Sequence, residues 1–198
     1  MKSKQILLAS SSQERKRLLS MLNTPFECVS PDIDETPFPN EPPADLAYRL
    51  SLTKAKALET KNGIIIAGDQ IISVDNTILG KPLNHANAVK QLQLCSRQKA
   101  ISYSGVCILS SQNNFCHIEV IETHIQYRTL NDSLITAYLQ YDKPYECAGS
   151  IRLEGRGHLL INSLSSTDPY AIYGLPLFSV TQALIALGFD LCDFLEKA

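Results

Sequence analysis

Two long runs of strand-forming residues, Ala100 to Ser110 and Phe115 to Arg128, are joined by the turn Gln112-Asn113-Asn114. A hairpin of that length needs a sheet to belong to, so a sheet is expected as the spine of the molecule. Helical and strand-like segments surround it without strict alternation. Gln5 to Ala9 reads as a buried strand, and the serines after it lead into a helix over Glu14 to Leu22, where Leu18, Leu19 and Leu22 recur at helical spacing. The chain therefore opens strand, polar turn, helix.

A second strand, Phe26 to Val29, ends at Pro31, and a proline-rich loop with Pro37, Pro39, Pro42 and Pro43 follows. Leu46, Leu50, Ala57 and Leu58 mark an amphipathic helix that starts at Asp45 and stops before Gly63. Ile64 to Ala67 reads as a buried strand ending at Gly68-Asp69-Gln70, and Ile71 to Val74 with Thr77 to Leu79 reads as a hairpin turning at Asp75-Asn76. Helices are expected over Ala86 to Cys95, over Asp132 to Leu139 and, closing the chain, around Leu177, Val180, Leu184 and Leu187. A glycine-marked region runs from Gly149 to Gly157. The expectation is an α/β fold with a curved mixed sheet in one catalytic unit of 198 residues, without internal repeats.

A formal net charge of -2 supplies no global attraction for a polyanion, so phosphate handling has to come from local Lys and Arg clusters, and nucleic acid is not an expected partner. The six cysteines show no CxxC pair and no zinc-like spacing, which suits reduced thiols. The apolar run Ile6 to Ala9 is too short for a signal-peptide core or a membrane span, so a cytoplasmic protein with no membrane partner is expected.

Several constellations could do chemistry. Ser10, Ser12 and Arg15 lie where a strand turns into a helix, and hydroxyls, helix N–H groups and a guanidinium together suit a phosphate; serine is equally a favoured helix cap. Asp69 and Gln70 follow an apolar strand, where a carboxylate can hold a metal or take a proton from water, although the pair reads equally well as turn chemistry. Asp32, Asp34 and Glu35 offer oxygen ligands of the kind hard cations choose, or form a solvated acidic loop. Lys54 and Lys81 complete the positive side, the latter in Gly80-Lys81-Pro82. His117, Glu119 and His124 match no HxH or HExxH ligand pattern.

Taken in order, LASSSQERKRLL (Leu8 to Leu19), DIDET (Asp32 to Thr36), RLSLTKAKAL (Arg49 to Leu58), AGDQ (Ala67 to Gln70), GKP (Gly80 to Pro82), CAGSIRLEGRG (Cys147 to Gly157) and YGLPL (Tyr173 to Leu177) resemble the Maf family of nucleotide pyrophosphatases over nearly the whole chain. The GDQ at Asp69 and the CAGSIRLEG segment look like the branch acting on 7-methyl-GTP. The resemblance implies the Maf α/β fold, related to the inosine triphosphate pyrophosphatase architecture, with a mixed curved sheet flanked by helices, two lobes around a cleft, and commonly a homodimer. It also implies Asp69 as proton acceptor, and Ser12, Gln70 and Glu154 as the positions that decide which base is accepted. Ser10, Arg15, Lys54 and Lys81 would bind phosphate, and Glu35 with Asp69 would hold a divalent cation, Mg2+ or Mn2+. Three positions depart from the family pattern: Gln13 where proline is usual, Arg97 where glycine is typical, and Arg152 where lysine is common.

The expected activity is hydrolysis of 7-methyl-GTP to 7-methyl-GMP and pyrophosphate by metal-assisted attack of water on the α-phosphate. Two rivals remain at this point. One is a pyrophosphatase for another nucleotide, such as dTTP, UTP or a damaged base; the other is a nucleotide-binding regulator of cell division that turns nothing over.

Overall fold

Ile6, Leu7, Leu8 and Ala9 are all buried, so the first strand, β1 (Ile6–Ala9), is covered on both faces and reads as an unbroken apolar run. The computed structural model describes residues 5–59 and 63–195. After β1 come α1 (Gln13–Ser20), β2 (Phe26–Cys28), α2 (Pro43–Lys56), β3 (Ile64–Val74), β4 (Thr77–Leu79), α3 (His85–Cys95), β5 (Lys99–Ser110), β6 (Phe115–Tyr127), α4 (Asp132–Asp142), β7 (Ile161–Ser166) and α5 (Leu177–Ala186). The strand order is β2-β1-β3-β5-β6-β7, with β4 on β3. β1 runs parallel to β2 and β3, whereas β4 and β7 are antiparallel to their neighbours. The class is α/β with a mixed sheet, as expected. No helix among the described residues is long and apolar enough to cross a membrane.

The chain divides into two compact units. The first comprises Met1–Asp69, Ser104–Ile121 and Asp168–Ala198. Its strands sort their side chains by the two-residue period. Ile6, Leu8, Ile64, Ile66, Val106 and Ile108 pack with Leu18 and Leu19 of α1 and with Leu177, Val180 and Leu184 of α5. Leu7, Ala9, Ile65, Ala67, Cys107 and Leu109 pack instead with Ala55 and Leu58 at the end of α2. Continuing that alternation along β3 puts Asp69 on the face that α2 covers and Gly68 on the other.

The second unit, Gln70–Tyr103 with Glu122–Thr167, holds the β3–β4 hairpin, the pairing of β6 with β7, and the helices α3 and α4, which pack together. Asp75 and Asn76 turn the hairpin with φ of 48° and 62°, the left-handed pair that a tight two-residue loop needs.

One expectation is corrected. The segment Gly68-Asp69-Gln70 does not end a strand: β3 runs unbroken through it, so Asp69 stands in mid-strand. The reason is close approach rather than turning. A Cβ on Gly68 would lie 2.9 Å from the Gly105 carbonyl oxygen, 3.5 Å from that of Gly174 and 3.7 Å from Arg15 Nε. The turn expected at Gln112-Asn113-Asn114 is a 3-10 turn over Ser111–Asn113 closed by a left-handed Asn114. Strand β7 had no sequence signal, because INSLSS shows no buried face and owes its conformation to its ladder with β6.

Gly105 gives the packing of α2 on β5 a sharp test. A Cβ there would press on the Ala47 carbonyl oxygen and on the hydroxyl of Ser51, which itself donates to that oxygen at 2.7 Å. Gly105→Ala should cost about 1–3 kcal/mol of stability by overpacking. Urea denaturation would read this as a lowered midpoint; an unchanged midpoint would show that α2 shifts without cost.

Candidate functional site

Asp69 is 8% exposed and Lys54 7%, so neither charge is left to water. Lys54 projects from the last turn of α2, and its Nζ donates to Asp69 Oδ1 at 2.5 Å and to Glu35 Oε1 at 2.7 Å. Glu35 comes from the loop between β2 and α2, with a side chain 58% exposed. One ammonium thus brings a strand carboxylate and a loop carboxylate to neighbouring positions.

The start of α1 supplies the facing cation. Ser12 caps the helix, accepting from Arg15 N at 3.4 Å, and Ser10 Oγ accepts from Ser12 N at 3.1 Å and from Arg15 Nη1 at 3.3 Å. Arg15 Nε donates to the Gly174 carbonyl at 2.8 Å. Burial lowers the pKa of the Arg15 guanidinium, while the charges of Asp69 and Glu35 act in the opposite direction. Arg15, Asp69 and Glu35 therefore share one electrostatic neighbourhood within the first unit. Beside it lies a cavity of about 300 Å³ lined by Ser10, Ser12, Gln13, Lys16, Cys28 and others.

Ser10, Ser12, Arg15, Glu35, Lys54 and Asp69 are therefore brought together. Gln70, Lys81 and Glu154 belong to the second unit. Gln70 Nε2 donates to the buried Ser102 Oγ at 2.9 Å. Lys81 pairs with Glu146 at 3.6 Å, both well exposed. Burial raises the pKa of the Cys147 thiol, with Glu154 and Glu146 adding to the rise and Arg152 and Lys81 opposing it. The charges of Lys81, Arg152 and Glu154 therefore all reach Cys147.

Histidine takes little part. His117 Nε2 meets Ser179 Oγ at 2.9 Å and Glu119 at 3.7 Å, and His124 lies 3.4 Å from Glu122. Among the described residues no group of three or more His, Cys, Asp or Glu could hold a metal ion; Asp69 and Glu35 are a pair.

A family model described as "Maf-like protein" matches residues 5–187. The chain belongs to the Maf family. Among the relatives of this Maf chain, a protein from Cupriavidus metallidurans is 41% identical, the match covering 93% of this chain and 94% of that protein. One from Nitrosococcus oceani is 42% identical over the same shares, and one from Vibrio parahaemolyticus is 38% identical over 96% of this chain and all of its own length. All three are named 7-methyl-GTP pyrophosphatase. A HAM1 protein structure from Coxiella burnetii shows a partial likeness, with a TM-score of 0.44 and 14% identity over 63% of this chain and 73% of that one.

Two of the three departures from the Maf pattern have local explanations, and nothing in the structure explains Arg152. Arg97 adopts φ of 64°, the left-handed region where glycine is at ease, which accounts for the glycine usual there. Gln13 occupies the first helical position, where proline is favoured, and the Ser12 cap defines the helix start without it.

Two supporting groups escaped the sequence reading. Asp168, 2% exposed, accepts from Tyr170 N at 2.9 Å and Phe178 N at 2.8 Å, bracing the segment that presents the Gly174 carbonyl to Arg15. Arg49 grips Glu41 through two hydrogen bonds. In both cases only a proline or an ordinary charge was visible nearby, and each has a partner eight or more positions away, Phe178 for Asp168 and Glu41 for Arg49.

Removing the ammonium should expose the pairing at the centre. Lys54→Met should destabilise the protein by about 3–5 kcal/mol, the cost of leaving a buried charge without its partner. In an Asp69→Asn background the same change should cost clearly less. Equal costs in a urea-denaturation double-mutant cycle would show that the two groups are not coupled.

Proposed function

We propose that this chain is a nucleoside triphosphate pyrophosphatase that hydrolyses 7-methyl-GTP to 7-methyl-GMP and pyrophosphate. The observation that carries the reading is the meeting of Asp69 and Glu35 with Lys54, beside Arg15 and the Ser10–Ser12 turn. The substrate comes from the names of relatives about 40% identical over nearly the full length.

The α-phosphorus of a triphosphate is screened by negative oxygens, so attack by water needs charge neutralisation and a proton acceptor. Arg15 and Lys54 supply positive charge beside the carboxylates, and Ser10 and Ser12 supply hydroxyls. Asp69 Oδ1 is engaged by Lys54, so the other carboxylate oxygen is assigned to take the proton of the attacking water. The water oxygen bonds to the α-phosphorus, the bridge to the β-phosphate breaks, and its electron pair leaves with pyrophosphate.

The donor set also fits a hard divalent cation. Two carboxylates already directed at one ammonium offer oxygens of the type Mg2+ or Mn2+ prefers, and such ions keep several waters of their own. When bound by Asp69 and Glu35, the metal would supply further charge neutralisation at the phosphates.

On the family likeness alone, Lys81 is assigned to phosphate, and Ser12, Gln70 and Glu154 to the choice of base. The carboxylate of Glu154 suits the N1–H and exocyclic amine of guanine, and its charge favours the cationic N7-methylated ring. The same likeness carries the proposals of one catalytic domain over the whole chain, a cytoplasmic location and a homodimer; neither nucleic acid nor membrane is invoked as a partner.

A panel of triphosphates with Mg2+ or Mn2+, read for released pyrophosphate, tests the reading. 7-methyl-GTP should be the best substrate, and release of orthophosphate instead of pyrophosphate would refute attack at the α-phosphorus. Asp69→Asn should lower kcat by about 10²–10⁴-fold in a folded protein, the usual loss for a proton-transfer group. Glu154→Gln should narrow the preference for 7-methyl-GTP over GTP more than it changes turnover of GTP. An unchanged substrate panel would remove Glu154 from base selection.

A further inference from the structure

We propose that Arg49 is a positioning residue that sets Glu35 in place by clasping the loop that carries it; this deepens the pyrophosphatase reading and rests on Glu35 belonging to that site. Asp69, Lys54 and Arg15 stand on a strand or a helix, but Glu35 lies in the stretch between β2 and α2, which has no helix or strand of its own. A loop carboxylate with an exposed side chain is the least fixed member of the group.

Arg49, on α2, ties that loop down at several atoms. Its Nε donates to Glu41 Oε1 at 2.6 Å and its Nη2 to Glu41 Oε2 at 2.8 Å, a two-pronged grip. The same Nη2 donates to the Thr36 carbonyl at 3.0 Å, one residue from Glu35. The guanidinium carbon sits 4.0 Å from the centre of the Phe38 ring, a cation–π contact that gives this 60% exposed phenyl group a partner. Glu41 Oε2 also accepts from Phe38 N at 2.9 Å, and Asp34 Oδ1 from Thr36 N at 2.9 Å. Hydrogen bonding to Arg49 lowers the pKa of Glu41 and raises that of Arg49, so both hold their charges.

The loop is thus fastened to α2 twice, by Thr36, Phe38 and Glu41 at Arg49 and by Glu35 at Lys54. The two positions are separated by roughly 7.5 Å of helix rise. With the Arg49 fastening released, the tie between the Glu35 stretch and α2 among the described residues is the bond of Glu35 to Lys54. Lysine cannot replace Arg49, because a single ammonium cannot grip both oxygens of Glu41 in the plane of the ring-stacked fork and also reach the Thr36 carbonyl.

The test uses Arg49→Ala and Arg49→Lys in the full chain, with two readouts besides activity. Hydrogen exchange should be about tenfold faster at the amides of Thr36 and Phe38 in Arg49→Ala, while the buried core of α2 keeps its protection. Mn2+ binding to the nucleotide-free protein, followed by electron paramagnetic resonance, should weaken by about tenfold, the loss usual when a support of a metal ligand is removed. At saturating Mn2+, kcat should recover to within about threefold of wild type, since the reacting groups are intact. Arg49→Lys should fall between wild type and Arg49→Ala, and it serves alone if the alanine variant does not fold. Unchanged loop exchange and unchanged Mn2+ binding would overturn the proposal, as would a wild-type protein that binds no Mn2+. A wild-type protein that binds Mn2+ but releases no pyrophosphate would defeat the hydrolase reading while leaving the effect of Arg49 on Mn2+ binding intact.

Discussion

The arrangement of the first unit depends on the Lys54 ammonium between Asp69 and Glu35. A carboxylate in the middle of a buried strand is tolerable only with a partner, because its charge would otherwise be stripped of water without compensation. The partner has to come from whatever covers that face of the sheet, and on β3 the alternation that buries Ile65 and Ala67 against α2 turns Asp69 the same way. Packing and chemistry are therefore set by one register. Shifting β3 by a single residue would move Asp69 to the opposite face and leave Lys54 without its buried acid.

The other face of β3 is governed by lack of bulk. Gly68 lets the Gly105 and Gly174 carbonyls and the Arg15 side chain come close, and the Gly174 carbonyl in turn holds Arg15 Nε. Gly174 itself adopts φ of 91° at the end of a 3-10 turn braced by Asp168 and by the Ser104 hydroxyl, which donates to Ala171 O at 2.6 Å. The guanidinium thus has two of its donors fixed, one on a backbone oxygen and one on Ser10, before any substrate is present. Such preorganisation matters for phosphate chemistry, where placing charge is most of what a protein contributes.

Where the hydrophobic pattern was strong, the fold was legible. The fully apolar β1, the first half of β3 and the leucines of α1, α2 and α5 were readable because burial on known faces leaves a period in the sequence. β7 was not, since its side chains bury no continuous face, and its conformation is imposed by the neighbouring strand. Gly68-Asp69-Gln70 misled because glycine followed by an acid is also how turns are written; only the distance to the Gly105 carbonyl shows that the glycine is there for clearance. In the site, Ser10, Ser12, Arg15, Glu35, Lys54 and Asp69 were individually ambiguous, and their order along the chain raised them together. Asp168 left no such trace, and Arg49, though it opens the RLSLTKAKAL stretch, showed nothing of its role there, because what distinguishes the two is which atoms they hold: backbone N–H groups for Asp168, the Glu41 carboxylate and the Thr36 carbonyl for Arg49.

That distinction has a mechanical consequence. Groups anchored on β3, α1 and α2 inherit their positions from a core whose side chains are close-packed, so their mutual distances resist small perturbations. Glu35 inherits nothing of the kind: the prolines at 37, 39 and 42 reduce the freedom of its loop but do not aim it. Aim has to come from side chains on the nearest rigid element, and α2 supplies both of them, Lys54 to the carboxylate itself and Arg49 to the backbone beside it. A helix that contributes a cation to the centre and a clasp to the loop ties the least ordered acid to the same rigid body as the most buried one. The two carboxylates can then act together on a single cation, whether ammonium or metal, even though they arise from such different kinds of structure.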